Sequence, residues 1–362
     1  MSDNSPISVR RRGHAPPWGR PIMLAIAGDS AAGKTTLTKG LVQALGAERI
    51  TAICVDDYHR YDRAERKALP FTPLHPDCNY LEVMVQHLEL LSAGHPILKP
   101  VYDHRHGTLA RPVLVEPREF VICEGLLPLF SRRARGCFDA TVYLDPPDPV
   151  RFAWKLRRDT HKRGYAPDGV RADLARREVE SAAFVRPQRA VADVVIRFEP
   201  IEERGEIPIG LADAFHRAPA RPGTAGDLDA ARKVAAADFD ATWAATQRWQ
   251  AETRAVLSAT VHLRPTIPHP RLASILTEGH RKAMHVSLAR DERETPVDAL
   301  HIHSYAPRAM TAEIEEAIWA ELAVSDALPA ALGSINGGDR SEPLAIVQLL
   351  LLYHLLQARA NR

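Results

Sequence analysis

Gly28-Asp29-Ser30-Ala31-Ala32-Gly33-Lys34-Thr35 fits the pattern G-x-x-x-x-G-K-[ST], and its flanks decide what the pattern means. Ahead of it, Ile22-Met-Leu-Ala-Ile-Ala27 is an apolar run of strand length. Behind it, Thr36-Leu-Thr-Lys-Gly-Leu-Val-Gln-Ala-Leu45 carries apolar residues at helical spacing. Strand, glycine-rich turn and helix make a phosphate cradle, in which backbone N–H groups from Gly28 to Thr36 close around a polyphosphate and the helix dipole adds favourable charge. Lys34 is placed to reach the β- and γ-phosphates, and the Thr35 hydroxyl to meet Mg²⁺.

Composition narrows the class without choosing a function. The chain has 362 residues, 45% hydrophobic and 25% charged, with a formal net charge of +2, and gives no reason to expect nucleic acid or an anionic membrane as partner. Four cysteines, Cys54, Cys78, Cys123 and Cys137, lack C-x-x-C spacing, so neither a zinc site nor a disulfide framework is expected. Free thiols fit a reducing, cytoplasmic setting. The segment Ser2–Trp18 has no apolar core and reads as a disordered tail rather than a secretory signal, with residues 1–20 assigned to it. The longest apolar run, Ile346-Val-Gln-Leu-Leu-Leu-Leu-Tyr-His-Leu-Leu356, falls short of the roughly 20 residues a bilayer needs and reads as a buried helix.

Strand-like and helix-like segments alternate from residue 22 to 200. Strands are expected at Ile50–Val55, Glu119–Cys123, Ala140–Leu144 and Val191–Phe198, and helices at Asn79–Ala93 and Asp148–Lys162. Alternation of this kind predicts an α/β three-layer sandwich with a mainly parallel sheet, here a P-loop NTPase core over residues 21–200. Residues 201–226, rich in Pro, Gly and charge, read as a linker. Residues 227–362 form an α+β extension. It holds an Ala-rich helical pattern over Asp227–Leu257 and strand-like runs at Ala259–Leu263, Met284–Leu288 and Ala299–His303. A helix capped by Thr311 and a last helix over Glu342–Arg359 complete it.

Two further segments carry chemistry. Phe120-Val-Ile-Cys-Glu124-Gly125 is an apolar strand ending in a carboxylate, the place where a phosphate-loop enzyme brings an acid to the metal. Cys54-Val55-Asp56-Asp57-Tyr58-His59-Arg60-Tyr61-Asp62-Arg63 places two acids at a strand's C-terminal end, where α/β sheets bind ligands. A kinase needs one carboxylate there to accept a proton, and Arg60, Arg63, Arg66 and Lys67 supply cations for a charged acceptor. On Lys155-Leu-Arg157-Arg158-Asp159, spacings of three and four residues put Lys155, Arg158 and Asp159 on one helix face, before Gly164 ends the helix. A basic helix end followed by a flexible segment suits a lid over phosphates. A solvated, salt-bridged surface is the plainer reading of the last two clusters taken alone.

In combination these segments resemble the phosphoribulokinase and uridine kinase family. The resemblance runs from about Met23 to Phe198 and rests on the P-loop, Asp56-Asp57-Tyr58-His59 with Arg63, Pro100-Val-Tyr102-Asp-His104, Glu124-Gly125-Leu126, Phe152-Ala-Trp154-Lys155 with Arg158-Asp159 and Arg163-Gly164, and Phe184 to Asp193. Asp-Asp-Tyr-His followed by Asp62-Arg63 favours the phosphoribulokinase branch, whereas Leu74-His-Pro-Asp77 is similar to uridine kinases. The resemblance implies transfer from Mg²⁺-ATP to D-ribulose 5-phosphate, giving ribulose 1,5-bisphosphate, the Calvin-cycle step of carbon fixation. It implies Asp56 as general base, with Lys34 and Asp159 in the catalytic group, and Thr35 and Glu124 as metal ligands. It further implies Arg163 beside the nucleotide phosphates, and His59, Arg63, Lys67, Tyr102, His104, Lys155 and Arg158 around the sugar phosphate. Strands after the core would join the sheet in antiparallel sense, and a homo-oligomer, a dimer first, would be the assembly.

One departure is informative. Photosynthetic-eukaryote members carry a cysteine inside the P-loop that pairs with one just before the catalytic Asp; here Ala32 stands at the first position and Cys54 at the second. The thiol switch of that type is not expected. His301 and His303 share one strand face and could bind metal, but a third ligand for zinc is missing, so a satisfied or solvent-facing pair is the expectation there. Two other functions stay open: a uridine or cytidine kinase-like enzyme acting on another small alcohol, and a non-catalytic nucleotide-binding regulatory protein.

Overall fold

The computed structural model describes residues 19–200, 238–247, 257–267, 269–322, 327–335 and 339–362. An eight-stranded sheet organises them, built from β1 (Ile22–Gly28), β2 (Ile50–Cys54), β5 (Phe120–Gly125), β6 (Ala140–Leu144), β7 (Val194–Glu199), β8 (Ser258–Leu263), β9 (Met284–Arg290) and β10 (Pro296–Ile302). Two further strands, β3 (Ile97–Asp103) and β4 (Thr108–Val115), form a separate antiparallel hairpin. Strand order in the sheet is β2-β5-β1-β6-β7-β8-β10-β9. The five strands from β2 to β7 are parallel, and each later neighbour is antiparallel. The expected mixed sheet is therefore present, with the C-terminal strands continuing the sheet of the core.

Helices α1 (Lys34–Leu45), α2 (Leu81–Ser92), α3 (Asp148–Arg163), α4 (Pro167–Glu180), α5 (Arg308–Ala320) and α6 (Glu342–Ala360) surround this sheet. β1 alternates between two cores. Ile22, Leu24 and Ile26 pack with Leu37 and Leu41 of α1 and the apolar residues of α6. Met23 packs with Val121, Cys123 and Ile53 of neighbouring strands and with Met84, Leu88 and Leu91 of α2. Burial on both faces is why β1 reads as an unbroken apolar run. Among the described residues α6 is the one helix long and apolar enough to cross a membrane, and it lies mostly buried inside the protein. An apolar surface all round suits such a core helix. Its end is fixed to the core by Arg359 on Glu119 and Arg362 on Asp139.

Three readings need correction or addition. Thr311 does not cap α5: the helix begins at Arg308 behind Pro307, whose fixed φ suits a helix start, and Thr311 lies in the first turn. Its hydroxyl donates instead to Glu342 Oε2 at 2.6 Å, tying α5 to α6. The hairpin and α4 were not anticipated. Nearly every residue of β4 is exposed, so it shows no apolar alternation, and α4 buries only Val170 and Leu174. The expected N-terminal tail (apart from residues 19 and 20), the linker at 201–226 and most of the 227–257 helix lie outside the described residues. Within that helix residues 238–247 are helical, and Phe239 and Trp243 pack on Phe152.

Candidate active site

The sheet brings three strand ends together. β1 lies between β5 and β6, and Ile26 is level with Glu124 on β5, which in turn is level with Cys54 on β2. The P-loop, the Asp56 turn and Glu124 therefore share one edge of the sheet, at the strands' C-terminal ends. Gly28 has φ +147, and a Cβ there would meet the Leu144 carbonyl oxygen at 2.8 Å, so the loop can leave the strand only at a glycine. Ala31 takes φ +66, a left-handed conformation rare for a residue with a side chain. Strain of this kind collects in loops shaped for a ligand.

Inside the loop, Lys34 Nζ donates to the Gly28 and Asp29 carbonyls at 2.8 Å each. Burial lowers its pKa, against the pull of Asp56, Glu124 and Asp29. Glu124 accepts from the Thr35 hydroxyl at 3.2 Å and from the Thr38 hydroxyl at 3.0 Å. Burial raises the Glu124 pKa, with Lys34 and the two hydroxyls opposing. A hydroxyl and a carboxylate held this close are an oxygen pair of the kind Mg²⁺ takes. Asp29, by contrast, turns its carboxylate away from the cradle. It accepts from Ser181 and Ser30 N and pairs with Arg151 at 3.3 Å, beside Asp148, Glu178 and Arg186. Its contribution at the cradle is backbone, and its side chain anchors the loop.

The two adjacent acids separate cleanly. Asp57 pairs with Lys99 and accepts from Tyr102 N at 3.0 Å, so it holds the hairpin against the turn after β2. Asp56 keeps its carboxylate for the site. Burial pushes its pKa up, but His59, Lys34, His104 and Arg177 outweigh this and hold it below the ordinary carboxylate value. His59 is buried, with Nδ1 2.7 Å from Asn79 Oδ1 and its ring 4.9 Å edge-on to Tyr102. Burial lowers its pKa. Tyr102 in turn accepts from Arg66, whose guanidinium lies 4.8 Å over the ring. Arg66 is only 9% exposed, and its Nη1 has no hydrogen-bond partner. Arg63 donates to the His104 carbonyl at 2.6 Å, while Lys67 is exposed.

On α3, Asp159 is the hub. Its carboxylate meets Lys155 at 2.8 Å, Arg158 at 2.8 Å and Arg163 at 3.4 Å, and Lys155 also meets Asp173 of α4 at 3.0 Å. Against the push of burial, Arg158 and Lys155 lower the Asp159 pKa to about 2. Arg158 reaches Ser30 Oγ of the P-loop at 3.5 Å. The expected residues thus fall into four groups: the glycine loop around Lys34, the Thr35–Glu124 pair, the Asp56–His59–Tyr102 cluster near Arg63 and His104, and the cationic face of α3. The sequence reading missed Asn79, Thr38 and the Arg66–Tyr102 pair as a unit. Thr38, three residues after Thr35 on a helix, was the findable one. The ring of His75 in the His-Pro-Asp segment stacks on Phe71 at 4.9 Å, and its carbonyl accepts from Asn79 Nδ2 at 3.0 Å.

A family model described as the Phosphoribulokinase / Uridine kinase family matches residues 23–203. The chain is 40% identical over 181 residues to a phosphoribulokinase of Synechocystis sp., covering 50% of this chain and 54% of that protein. It is 34% identical over 196 residues to a chloroplastic phosphoribulokinase of Arabidopsis thaliana, covering 49% and 50%. A uridine kinase of Lactiplantibacillus plantarum is 31% identical over 198 residues, covering 53% of this chain and 92% of that protein. The chain spans about half the length of the phosphoribulokinases it matches.

Proposed function

The chain belongs to the phosphoribulokinase and uridine kinase family, and on that footing we propose that it transfers the γ-phosphoryl group of ATP to D-ribulose 5-phosphate, giving ribulose 1,5-bisphosphate and ADP. Residues 21–200 are the kinase core in this reading, residues 227–362 an extension of its sheet, and the assembly a homo-oligomer. The observation that carries it is Arg66, a buried guanidinium with an unpartnered N–H group, held on Tyr102 and close enough for its charge to act on His59. A buried cation left with open donors is costly, and an anion removes that cost. Arg is the residue best shaped for a phosphate. A nucleoside acceptor brings no charge to meet it. The match to a uridine kinase over most of that protein's length supports a nucleoside acceptor as the second reading.

Asp56 takes the proton of the acceptor hydroxyl as that oxygen bonds to phosphorus, and ADP leaves with the electrons of the broken P–O bond. Its depressed pKa keeps it ionised and ready. His59, fixed by Asn79, and Tyr102 orient the sugar, and Arg63 and Arg66 take its phosphate. Lys34 and Arg163 neutralise the nucleotide phosphates; Arg158, which the resemblance assigned with Lys155 to the sugar phosphate, joins them in this reading because it reaches Ser30 of the P-loop, and Asp159 holds both arginines and Lys155 in place. Thr35 and Glu124 would hold Mg²⁺, whose chemistry there is charge neutralisation of the triphosphate. Steady-state kinetics of Arg63→Ala and Arg66→Met test the assignment. Both are expected to raise KM for the sugar phosphate at least about tenfold, with ATP affinity unchanged, since only acceptor binding is lost. An unchanged acceptor KM in both variants would remove the phosphate pocket from the account.

A further inference from the structure

Cys54, Asp56 and His104 each bring one ligand atom to a common space, and the three atoms lie within 4.8 Å of one another. Among the described residues no other group of three His, Cys, Asp or Glu side chains comes together in this way. The cluster joins two elements: Cys54 ends β2, Asp56 follows in the turn, and His104 stands on the exposed turn of the β3–β4 hairpin. We propose that this cluster is a binding site for a thiophilic divalent cation of the Zn²⁺ or Cd²⁺ class, and that its occupation switches the kinase off by engaging Asp56.

The donor set selects the ion. Thiolate, imidazole and carboxylate are the ligands of zinc and its neighbours, whereas Mg²⁺ takes oxygens and demands octahedral geometry. The kinase's Thr35–Glu124 pair and this cluster therefore call for different ions. Tetrahedral zinc bonds of about 2.0–2.3 Å need ligand atoms nearer together than 4.8 Å. His104, exposed at the hairpin turn with its ring edge-on to Tyr102 at 5.0 Å, would make that adjustment by side-chain rotation.

Charge favours the same outcome. Cys54 lies level with Glu124 on the neighbouring strand and two residues from Asp56, so the carboxylates around it attract a cation. Binding replaces the S–H bond with an S–metal bond and releases one proton to solvent; no electron changes hands. Asp56 and His104 supply the other two ligand atoms. With Asp56 held by the ion, no base remains for the acceptor hydroxyl, so inhibition competes with the acceptor and not with ATP. The inhibitory part of this proposal rests on the kinase reading above; the site itself does not.

Titration of the reduced, metal-free full chain with Cd²⁺ alone tests the site directly. The expected result is the ultraviolet thiolate-to-cadmium charge-transfer band, saturating at one equivalent. It is expected to vanish in Cys54→Ser, and its midpoint to shift at least about tenfold in His104→Gln, since one of three protein ligands is lost. No band, or an equal band in Cys54→Ser, would overturn the proposal. Cys78, Cys123 and Cys137 are buried and would be the source of such a residual band. A chain that binds Cd²⁺ through Cys54 yet phosphorylates nothing would keep the site and reject the kinase reading; turnover without a band would do the reverse.

Discussion

Asp56 and Asp57 are neighbours in sequence with the same side chain and opposite work. Asp57 is consumed by Lys99 and the Tyr102 amide, and Asp56 faces the P-loop lysine and His59. Asp56→Asn is expected to lower kcat by roughly 10²–10⁴-fold with little change in nucleotide affinity or thermal stability, because only proton acceptance is lost. Asp57→Asn is expected to do the reverse. It breaks a nearly buried ion pair, at a cost of about 3 kcal/mol read by chemical denaturation. Equal stability losses in the two variants would show that the division of labour is wrong. Spacing alone pointed to this pair of acids and the resemblance singled out Asp56, but the task of Asp57 was not legible, since the partner that claims it lies 42 residues on, in the hairpin. Arg66 was legible as one cation in a basic run. Its burial against Tyr102 was not, since that depends on how the hairpin folds back.

At the scale of elements, α3 carries the clearest electrostatic design. Asp159 is almost fully buried and ringed by Lys155, Arg158 and Arg163, and its pKa falls to about 2. A carboxyl whose folded pKa lies below its unfolded value contributes stability above the unfolded pKa and loses it as pH falls through the folded one. The contribution, on the order of 2 kcal/mol, is therefore present above about pH 4 and gone below about pH 2. Thermal unfolding of the wild type and Asp159→Asn is expected to differ at pH 5 and to converge toward pH 2. A difference that persists unchanged at pH 2 would assign the effect to packing. The i,i+4 spacing on this helix was readable from sequence; the tie from Arg158 to Ser30 of the P-loop, 128 residues away, was not.

Across the whole molecule, the parallel core of the sheet was written in sequence as apolar runs punctuated by glycine. The three antiparallel strands were also read, as short apolar runs, but their order was not, since β10 lies between β8 and β9 and pairing across the sheet leaves no local signal. The rings of His301 and His303 each stack on that of His285, and His301 is 3.3 Å from Thr260 Oγ1 and 3.0 Å from Ser287 Oγ. Ala32 within the P-loop and free thiols at all four cysteines leave no dithiol pair across the site. Activity of the chelator-treated chain is accordingly expected to be unchanged by a dithiol reductant, and a large reversible activation would contradict that. The central claim is that the acceptor is a sugar phosphate held by Arg63 and Arg66 before Asp56. ADP release measured with Mg²⁺-ATP against ribulose 5-phosphate, uridine and cytidine in parallel tests it most directly. Turnover with ribulose 5-phosphate and none with either nucleoside is the predicted result; turnover with a nucleoside alone would contradict it.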